Sequence, residues 1–487
     1  MSIEEDNSKQ SYRQILKSSS IIGGAQCISY ILALVKIKFV AVLLGPSGVG
    51  LIGIYTSITG LIGTIAGMGI ETSGVRAVAE AQNKSDEKEI SRTIAALRRI
   101  CWITGLLGWS ITAVLSYQIS IWAFDSPEKT YAIILLGGTI LIGTLTGVRN
   151  ALIQGTRRIA DIARLNVLSS VSGTVVAVSL YAWIGERGIV AVLLLTGFIN
   201  LGFSSWFASR INTTTVSQSW TETLRYSKRI IGLGMAFMYG ALLAAFVDLV
   251  IRLNIVQNLG LEVNGIFQAA LNISGIFSAF ILAAMAADFY PSITALAHDD
   301  DQVNRLVNDQ TEIGILLALP GLLGTLLFAT WAITIFYSEK FLQGADLLQW
   351  FVFGAFGQII AFPVAYIQRA KSATRWIYIW QSCSSISYLI FALILLPVFN
   401  ILGIAFAYVI SVTFQYIVAM FIANNLSKFS LSKKNYQLIL ISLALIIISF
   451  FIKQIQDINI KTFCSVLILS VSFVFSGNGI VKRFRIK

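Results

Sequence analysis

Charged residues are scarce in this chain of 487 residues. They make up 12% of it, against about 25% in soluble globular domains. Hydrophobic residues make up 56%, and the mean hydropathy is +0.77. This balance excludes a soluble globular domain and indicates a membrane protein. Acidic residues are fewer than basic ones, 24 against 36, which leaves a net charge of +12.

Residues that support catalysis or metal binding are also few. Cys27, Cys101, Cys383 and Cys464 stand singly in separate apolar segments, so we expect neither a disulfide framework nor a metal site. The single histidine, His298, lies between apolar segments and is expected to be a loop residue. No GxxxxGK[ST] motif occurs, so direct use of ATP is not expected. We therefore expect no cofactor and no enzyme.

Apolar runs of about 20 residues recur along the whole chain, as a hydrocarbon layer of about 30 Å requires of a helix. They lack the two-residue alternation of strands, so the fold class expected is an all-α polytopic membrane protein. About fourteen transmembrane helices are predicted, near residues 18–44, 49–70, 100–121, 131–148, 165–184, 189–209, 230–256, 265–287, 312–335, 346–367, 376–396, 402–423, 436–452 and 462–480.

The basic residues predict which side each loop faces. With the N-terminus inside, the inside segments hold 28 of the 36 Lys and Arg residues, and the outside loops hold five. By the positive-inside rule, both termini are predicted to be cytoplasmic. The net charge is thereby explained without a nucleic-acid partner. The polar start, residues 1–14, lacks the features of a cleaved signal peptide, so the first span is expected to direct insertion.

An internal repeat divides the chain. The segment 34–55 resembles 247–267 at a shift of about 213 residues, 151–157 resembles 365–371 at 214, and Gly188 matches Gly403 at 215. This near-constant shift predicts an N-lobe of six spans over 1–215 and a C-lobe of six over 216–425. Residues 426–487 would add two transmembrane helices and a basic cytoplasmic tail. Repeated halves are common in transporters.

Cations inside the predicted spans are the first candidates for a binding site. A cation at mid-depth costs about 2.5–3.5 kcal/mol on insertion scales, which favours an aqueous cavity around Lys38. The alternative is that Lys38 reaches the outer head groups. Lys36 lies about 200° round the helix from Lys38, so the two cannot share a face.

Asp248 and Arg252 have the i, i+4 spacing of an ion pair on the seventh span. The pair either neutralises itself, or Arg252 faces a cavity opposite Lys38 while Asp248 tunes it or exchanges protons. The planar guanidinium suits phosphate oxygens, and two facing cations would suit a diphosphate.

Other positions carry weaker signals. Glu71, Arg76, Arg149, Arg157 and Arg158 follow spans two and four on the inside, where they could receive an anionic head group, although positive-inside bias alone explains the arginines.

Some patterns predict structure only. Glycines 60, 63 and 67 predict close helix packing, and residues 299–301 predict a helix cap. Two inside loops, 71–99 and 288–311, predict amphipathic helices along the membrane surface, judged by Ile90, Ile94 and Leu97 and by Val303, Leu306 and Val307.

Three motifs resemble one transporter family. They are the cationic helix with Gly-Pro-Ser-Gly-Val-Gly and Gly-Ile-Tyr over 38–55, the segment 264–280, and Tyr-Pro-Ser-Ile over 290–293. They resemble the O-antigen and enterobacterial common antigen flippases, in the polysaccharide-transport branch of the multidrug/oligosaccharidyl-lipid/polysaccharide exporter superfamily. The resemblance covers about residues 10–425.

The resemblance implies two six-helix lobes, related by a pseudo-twofold axis, around a cavity that alternates its opening in the bacterial inner membrane. It implies that an undecaprenyl-diphosphate-linked oligosaccharide moves from the cytoplasmic to the periplasmic leaflet. Lys38 and Arg252 match cationic positions of the common-antigen members, whereas Gly275 stands where those members carry an acidic residue. Polar side chains expected to contact sugars are Gln154, Asn166, Asn272 and Gln368.

Two other functions compete with this one. An ion-coupled multidrug or cation exporter of the same superfamily would need acidic residues deep in the lobes, and Asp248 is the one clear candidate. A glycan polymerase or glycosyltransferase would need a sizeable outside loop, and the predicted outside loops are short. The partners expected of a flippase are the lipid-linked oligosaccharide, membrane lipids, and assembly proteins such as a polymerase or a chain-length regulator. We expect a functional monomer.

Overall fold

The computed structural model describes residues 3–83, 87–211, 218–452, 455 and 457–485, and these residues form helices and short connections without a β-strand. The predicted all-α polytopic fold is therefore confirmed. The fifteen α-helices are α1 Ile3–Gly67, α2 Ile70–Asn83, α3 Glu87–Phe124, α4 Thr130–Gly155, α5 Ile159–Ile184, α6 Ile189–Ala208, α7 Trp220–Leu259, α8 Leu261–Ala295, α9 Asp300–Leu327, α10 Ala329–Phe336, α11 Gly344–Ala370, α12 Thr374–Phe399, α13 Ile401–Ser427, α14 Lys433–Ile452 and α15 Ile458–Arg485. Short 3₁₀ helices lie at Pro127–Lys129, Gly185–Gly188 and Glu339–Phe341.

Each predicted span falls on a helix, but the first two share α1, which Gly45 interrupts, and the ninth is divided between α9 and α10. Several helices, such as α3 and α7, also begin about ten residues before the predicted span. Eleven helical stretches of the described residues are long and apolar enough to cross a membrane. Two of them, Gly24–Gln82 and Ile159–Ala208, each contain two predicted spans. The chain is therefore a multi-pass membrane protein.

Two compact units divide the chain, Met1–Leu249 and Val250–Lys487, with the boundary inside α7. In the first unit α4 packs against α2, α3 and α6, and α1 packs against α5. In the second unit α11 packs against α8, α9 and α13, while α14 and α15 pack against α9. The lobe limits at residues 215 and 425 were drawn from the repeat and stay a prediction.

The repeat extends to the backbone torsions of the turns. Arg157 (φ 56°) follows α4, and Ser372 (φ 52°) follows α11, 215 residues later. Gly185 (φ 58°, ψ −140°) and Asn400 (φ 52°, ψ −143°), again 215 apart, follow α5 and α12. The matching torsions support the internal duplication independently of the short apolar sequence matches.

A third pair of turns needs glycine. Gly45 interrupts α1 at φ 66° and ψ −173°, and Gly260 separates α7 from α8 at φ 90° and ψ 169°. These torsions lie in a region that is essentially open to glycine alone. A Cβ added at either position would have no heavy atom within 4 Å, so the requirement comes from the backbone.

The two predicted surface helices were wrong for the residues named. Ile90, Ile94 and Leu97 belong to α3, which continues into the third span, and Val303, Leu306 and Val307 belong to α9. These stripes pack against neighbouring helices of their own units, in clusters that include Leu152 and Val364. An apolar stripe looks the same whether it covers a membrane surface or a protein core. The first loop does contain a separate helix, α2.

The cap predicted for the ninth span is confirmed at Asp299. Its Oδ1 accepts a hydrogen bond from the Gln302 backbone N–H at 3.0 Å, which satisfies one of the unpaired donors of α9. The hydrogen bonds from the Gln302 backbone and side chain hold the pKa of Asp299 below its usual value.

An ion pair and hydrogen bonds connect α14 to α9 within the second unit. Lys434 Nζ lies 2.6 Å from Glu312 Oε1, and the side chain of Glu312 is only 8% exposed. Asn435 Nδ2 donates to the Asn308 carbonyl at 2.7 Å, and the Ser432 N–H donates to Asn308 Oδ1 at 2.7 Å. The two helices beyond the repeat are thus an integral part of this unit.

Gly260→Ala should lower thermal stability, because alanine at these torsions costs about 1–3 kcal/mol. The matched control is Gly202→Ala, in the middle of α6, where a Cβ also meets no heavy atom within 4 Å but helical torsions favour alanine by about 1 kcal/mol. Thermal unfolding in detergent measures both. Equal melting temperatures for the two variants would contradict the torsional requirement.

Candidate functional site

The first unit contains a polar crevice around Lys36, at middle depth in the predicted spans. It is a cavity of about 430 Å³ between α1, α5 and α6. Hydroxyl and amide side chains share its wall with the lysine, namely Ser169, Ser170, Thr174, Thr196 and Asn200. Ser169 Oγ donates to Asn200 Oδ1 at 3.2 Å. A cation among polar groups can hold an anion at a depth where lipid cannot.

Lys38 lies on another face of α1, as its spacing from Lys36 predicted. It is half-buried and is not among the residues that line the Lys36 crevice. The sequence favoured Lys38 as the cavity residue, whereas the structure shows a polar cavity at Lys36. A binding role for Lys38 stays a prediction.

Asp248 is bound to α1 within the first unit, because Ser57 Oγ donates a hydrogen bond to Asp248 Oδ2. Ser57 is only 8% exposed and Asp248 is half-buried, so this contact joins α1 to α7 at a partly buried point. Nothing in the sequence pattern had marked Ser57.

Arg252 is 4% exposed, and its guanidinium carbon lies 5.3 Å from the centre of the Phe267 ring. Both residues belong to the second unit, on α7 and α8. A desolvated cation over an aromatic face is worth about 2 kcal/mol, which offsets part of the cost of burying this charge. Asp248 and Lys38 lie in the first unit, so the predicted ion pair and the predicted facing of Arg252 and Lys38 stay predictions.

The four polar side chains expected to contact sugars lie in different settings. Gln154 and Asn166 are exposed in the first unit, near the ends of α4 and α5. In the second unit Gln368 is 1% exposed within α11. Asn272 accepts from Gln268 at 2.7 Å and donates to the Tyr337 hydroxyl at 3.0 Å. Asn272 therefore has a structural role in the conformation described, and sugar contacts stay a prediction for all four.

The basic residues expected at the inner side are also separate. Arg76 forms an exposed ion pair with Glu80 at 2.9 Å and lines a cavity of about 330 Å³ with Arg225. Arg149 donates to its own helix at the Leu145 carbonyl, at 2.8 Å. Arg157 is exposed at the turn after α4. These three arginines have different surroundings and do not form one anion site.

Glycines 60, 63 and 67 do not pack closely, so that prediction was wrong. A Cβ added to any of them meets no heavy atom within 4 Å, because they line a cavity of about 500 Å³. Every residue lining this cavity belongs to the first unit. Twelve of the eighteen are threonine or glycine, namely Thr56, Thr59, Thr64, Thr72, Thr139, Thr144, Gly60, Gly63, Gly67, Gly69, Gly143 and Gly147. We call it the threonine–glycine cavity.

The spacing of these residues explains the cavity and could have revealed it. Positions 56, 59, 60, 63, 64 and 67 recur at the three- and four-residue steps of one helix face, and 139, 143, 144 and 147 do the same on α4. Small side chains on two facing helices leave space between them. Small residues at this spacing are compatible with close helix packing and with a polar cavity. Only the threonine hydroxyls favour the cavity.

A comparison with protein families matches residues 39–346 to the family described as polysaccharide biosynthesis protein. Among curated proteins, the lipid III flippases of Escherichia coli (strain K12) and Shigella flexneri are each 25% identical over 388 residues. The match covers 76% of this chain and 89% of theirs. The resemblance drawn from the sequence is thereby confirmed.

Solved structures share the fold. The lipid II flippase MurJ in an inward closed conformation has a TM-score of 0.68 at 15% identity, covering 96% of this chain and 100% of that one. An inward-facing multidrug resistance MATE family transporter of the MOP superfamily has a TM-score of 0.66 at 15% identity, covering 82% and 96%. Since the family match spans nearly two thirds of the chain, this protein belongs to the polysaccharide biosynthesis protein family.

Proposed function

We propose that the protein is a flippase that translocates a lipid-linked oligosaccharide across the membrane. The observation that carries this is the similarity to the lipid III flippases, which extends over 89% of their length, and the family match supports it. In its finer form the substrate is an undecaprenyl-diphosphate-linked repeat unit of an O-antigen or related surface polysaccharide. It moves from the cytoplasmic to the periplasmic leaflet by alternating access, without direct use of ATP and without covalent chemistry.

The intramembrane cations supply the diphosphate site. Lys36, Lys38 and Arg252 all fall inside predicted spans, where each charge costs about 2.5–3.5 kcal/mol, and such residues are commonly functional. Hydrogen bonds to charged groups are worth about 1.5–3 kcal/mol each, enough to hold a diphosphate. The crevice that Lys36 shares with five hydroxyl and amide side chains makes this lysine the alternative to Lys38, because the two lie on different faces of α1 and cannot both contact one diphosphate.

The membrane potential supplies a driving force for a negative head group. An inside-negative potential of 100 mV favours outward movement by about 2.3 kcal/mol per charge. We place the protein in the bacterial inner membrane with both termini cytoplasmic, acting as a monomer beside a polymerase and a chain-length regulator. Arg76, Arg149 and Arg157 would then face the leaflet that delivers the substrate.

Loss of the protein should cause the lipid-linked oligosaccharide to accumulate and surface glycan to fall. Arg252→Gln should reduce transport about tenfold, and so should Lys36→Gln or Lys38→Gln, whichever of these two lysines faces the diphosphate, because each removes a charge-assisted contact worth at least 1.4 kcal/mol. The measurement is the amount of lipid-linked intermediate and of surface glycan in cells.

Lys340→Gln is the matched control, since Lys340 is exposed in the short helix Glu339–Phe341 on the predicted outer side. Each variant must be present at the wild-type level. Unchanged intermediate and glycan in cells without the protein would reject the flippase, whereas normal amounts in the three variants alone would reject the cation site.

Resistance to cationic dyes should not depend on this protein. A cation exporter needs acidic residues deep in the lobes to bind its substrate, and the sequence offers Asp248 as the one clear candidate, against the cations Lys36, Lys38 and Arg252 in the predicted spans. Growth with and without the protein, in a graded series of a cationic dye, measures this. Resistance that falls on deletion and also with Asp248→Asn would instead favour the multidrug or cation exporter.

The predicted topology can be measured with single cysteines. Once the four native cysteines are replaced by alanine or serine, Lys340→Cys should react with a membrane-impermeant maleimide added outside. Lys428→Cys, in the connection between α13 and α14, should react only after the membrane is opened, because its loop is basic and predicted to be cytoplasmic. The opposite pattern would reverse the assigned orientation.

A further inference from the structure

The threonine–glycine cavity has a wall that accepts hydrogen bonds. Five of its six threonines donate their single hydroxyl proton to a carbonyl of their own helix. Thr56 donates to Ile52, Thr59 to Tyr55, Thr64 to Gly60, Thr139 to Leu136 and Thr144 to Leu141, at 2.6–2.9 Å. A hydroxyl has one proton but two acceptor lone pairs. Each of these oxygens therefore still has acceptor capacity but no proton to offer.

The charge of the wall agrees with this. Its one ionisable carboxylate, Glu71, lies beside Gly147, where an added Cβ would be 3.9 Å from Glu71 Oε2. The lining residues, all of them within the described part of the chain, include neither lysine nor arginine. A diphosphate brings only acceptors and negative charge, so this wall repels it. A ligand with several O–H donors and no negative charge is complementary to it.

The size also fits a small ligand. A volume of about 500 Å³ lies within the range of about 300–1,000 Å³ typical of small-molecule sites. Lipid tails would fit the wall poorly, because a hydrocarbon chain offers no hydrogen-bond donor to the threonine oxygens. Facing rows of threonine and glycine on α1 and α4 are suited instead to a polar ring with hydroxyls on its edges.

We propose that the threonine–glycine cavity binds a neutral, hydroxyl-bearing sugar ring of the substrate, while the diphosphate is held elsewhere by cations. This rests on the proposed function and divides the substrate between two sites of opposite chemistry. Because the acceptors are arranged along two helix faces rather than around one point, the cavity accepts different hexoses and selects against sugars that carry a carboxylate.

The test uses the full-length protein in detergent and two probes, undecaprenyl diphosphate and undecaprenyl diphosphate carrying one glucose. Equilibrium binding of each probe gives a ratio of the two dissociation constants. The wild type should bind the glucose-bearing lipid about tenfold more tightly, since a few neutral hydrogen bonds of about 0.5–1.5 kcal/mol each suffice for that ratio.

Filling the cavity should abolish the preference for glucose and leave the sugar-free lipid bound as before. Gly63→Leu fills it from α1 and Gly143→Leu from α4, and at both positions a Cβ meets no heavy atom within 4 Å. Leucine is also the better helix former by about 0.8 kcal/mol. If one variant fails to fold, the other still decides. Gly202→Leu, equally open but outside the cavity, should keep the preference.

Deoxyfluoro glucose probes test the acceptor character, because fluorine replaces one O–H donor at nearly constant size. At least one of the four single replacements should weaken binding about two- to tenfold. Full retention of binding by all four would overturn the acceptor wall.

The remaining outcomes separate the two proposals. An unchanged glucose preference in Gly63→Leu and Gly143→Leu, or equal weakening of both probes, would overturn the sugar site while leaving the flippase in place. Equal affinity of the wild type for both probes would do the same. A wild type that binds neither probe would overturn the proposed function itself.

Discussion

The structure depends on one constraint, that a backbone in hydrocarbon must satisfy its own hydrogen bonds. Helices meet it, and the described spans are helical. Polar function then has to come from side chains on helix faces and from the few points where a helix is broken. Gly45 and Gly260 are two such points, and their torsions recur 215 residues apart. Each half of the chain thus breaks its helices at an equivalent glycine.

Polar side chains in the spans also satisfy their hydrogen bonds internally. Most threonine hydroxyls of the described spans donate to a carbonyl three or four residues earlier, which removes an unpaired donor from a low-dielectric region. The consequence is general for such helices, because a donor satisfied internally leaves an acceptor facing outward. The threonine–glycine cavity concentrates five of these acceptors around one space.

The sequence predicted most of the fold because its signals are local. Apolar runs located the spans, and the repeat located the equivalent turns, since Arg157 and Ser372 need only their neighbours to define them. The surface helices failed because Ile90 and Val303 lie on stripes whose partner, lipid or protein, is set by residues far along the chain. The site was predicted less well for the same reason. Ser57 and Asp248 are 191 residues apart, and no local pattern joins them.

The interpretation of glycines 60, 63 and 67 shows what local reasoning misses. Close packing and a cavity both require small side chains at helical spacing, and the choice depends on whether the facing helix brings large or small residues. Here α4 brings Thr139, Gly143, Thr144 and Gly147, so space remains. Reading two helices together, instead of each alone, would have favoured a cavity.

The proposed division of the substrate follows from the strengths of its contacts. Bonds to charged groups are worth about 1.5–3 kcal/mol each and neutral ones about 0.5–1.5, so the diphosphate would supply most of the affinity and the sugars a smaller, tolerant part. The membrane potential acts on charge alone, and therefore on the diphosphate and not on the sugar ring. A transporter built this way can carry varied sugars with one driving force, and because the sugar contacts are weak, release of the sugar need not limit transport.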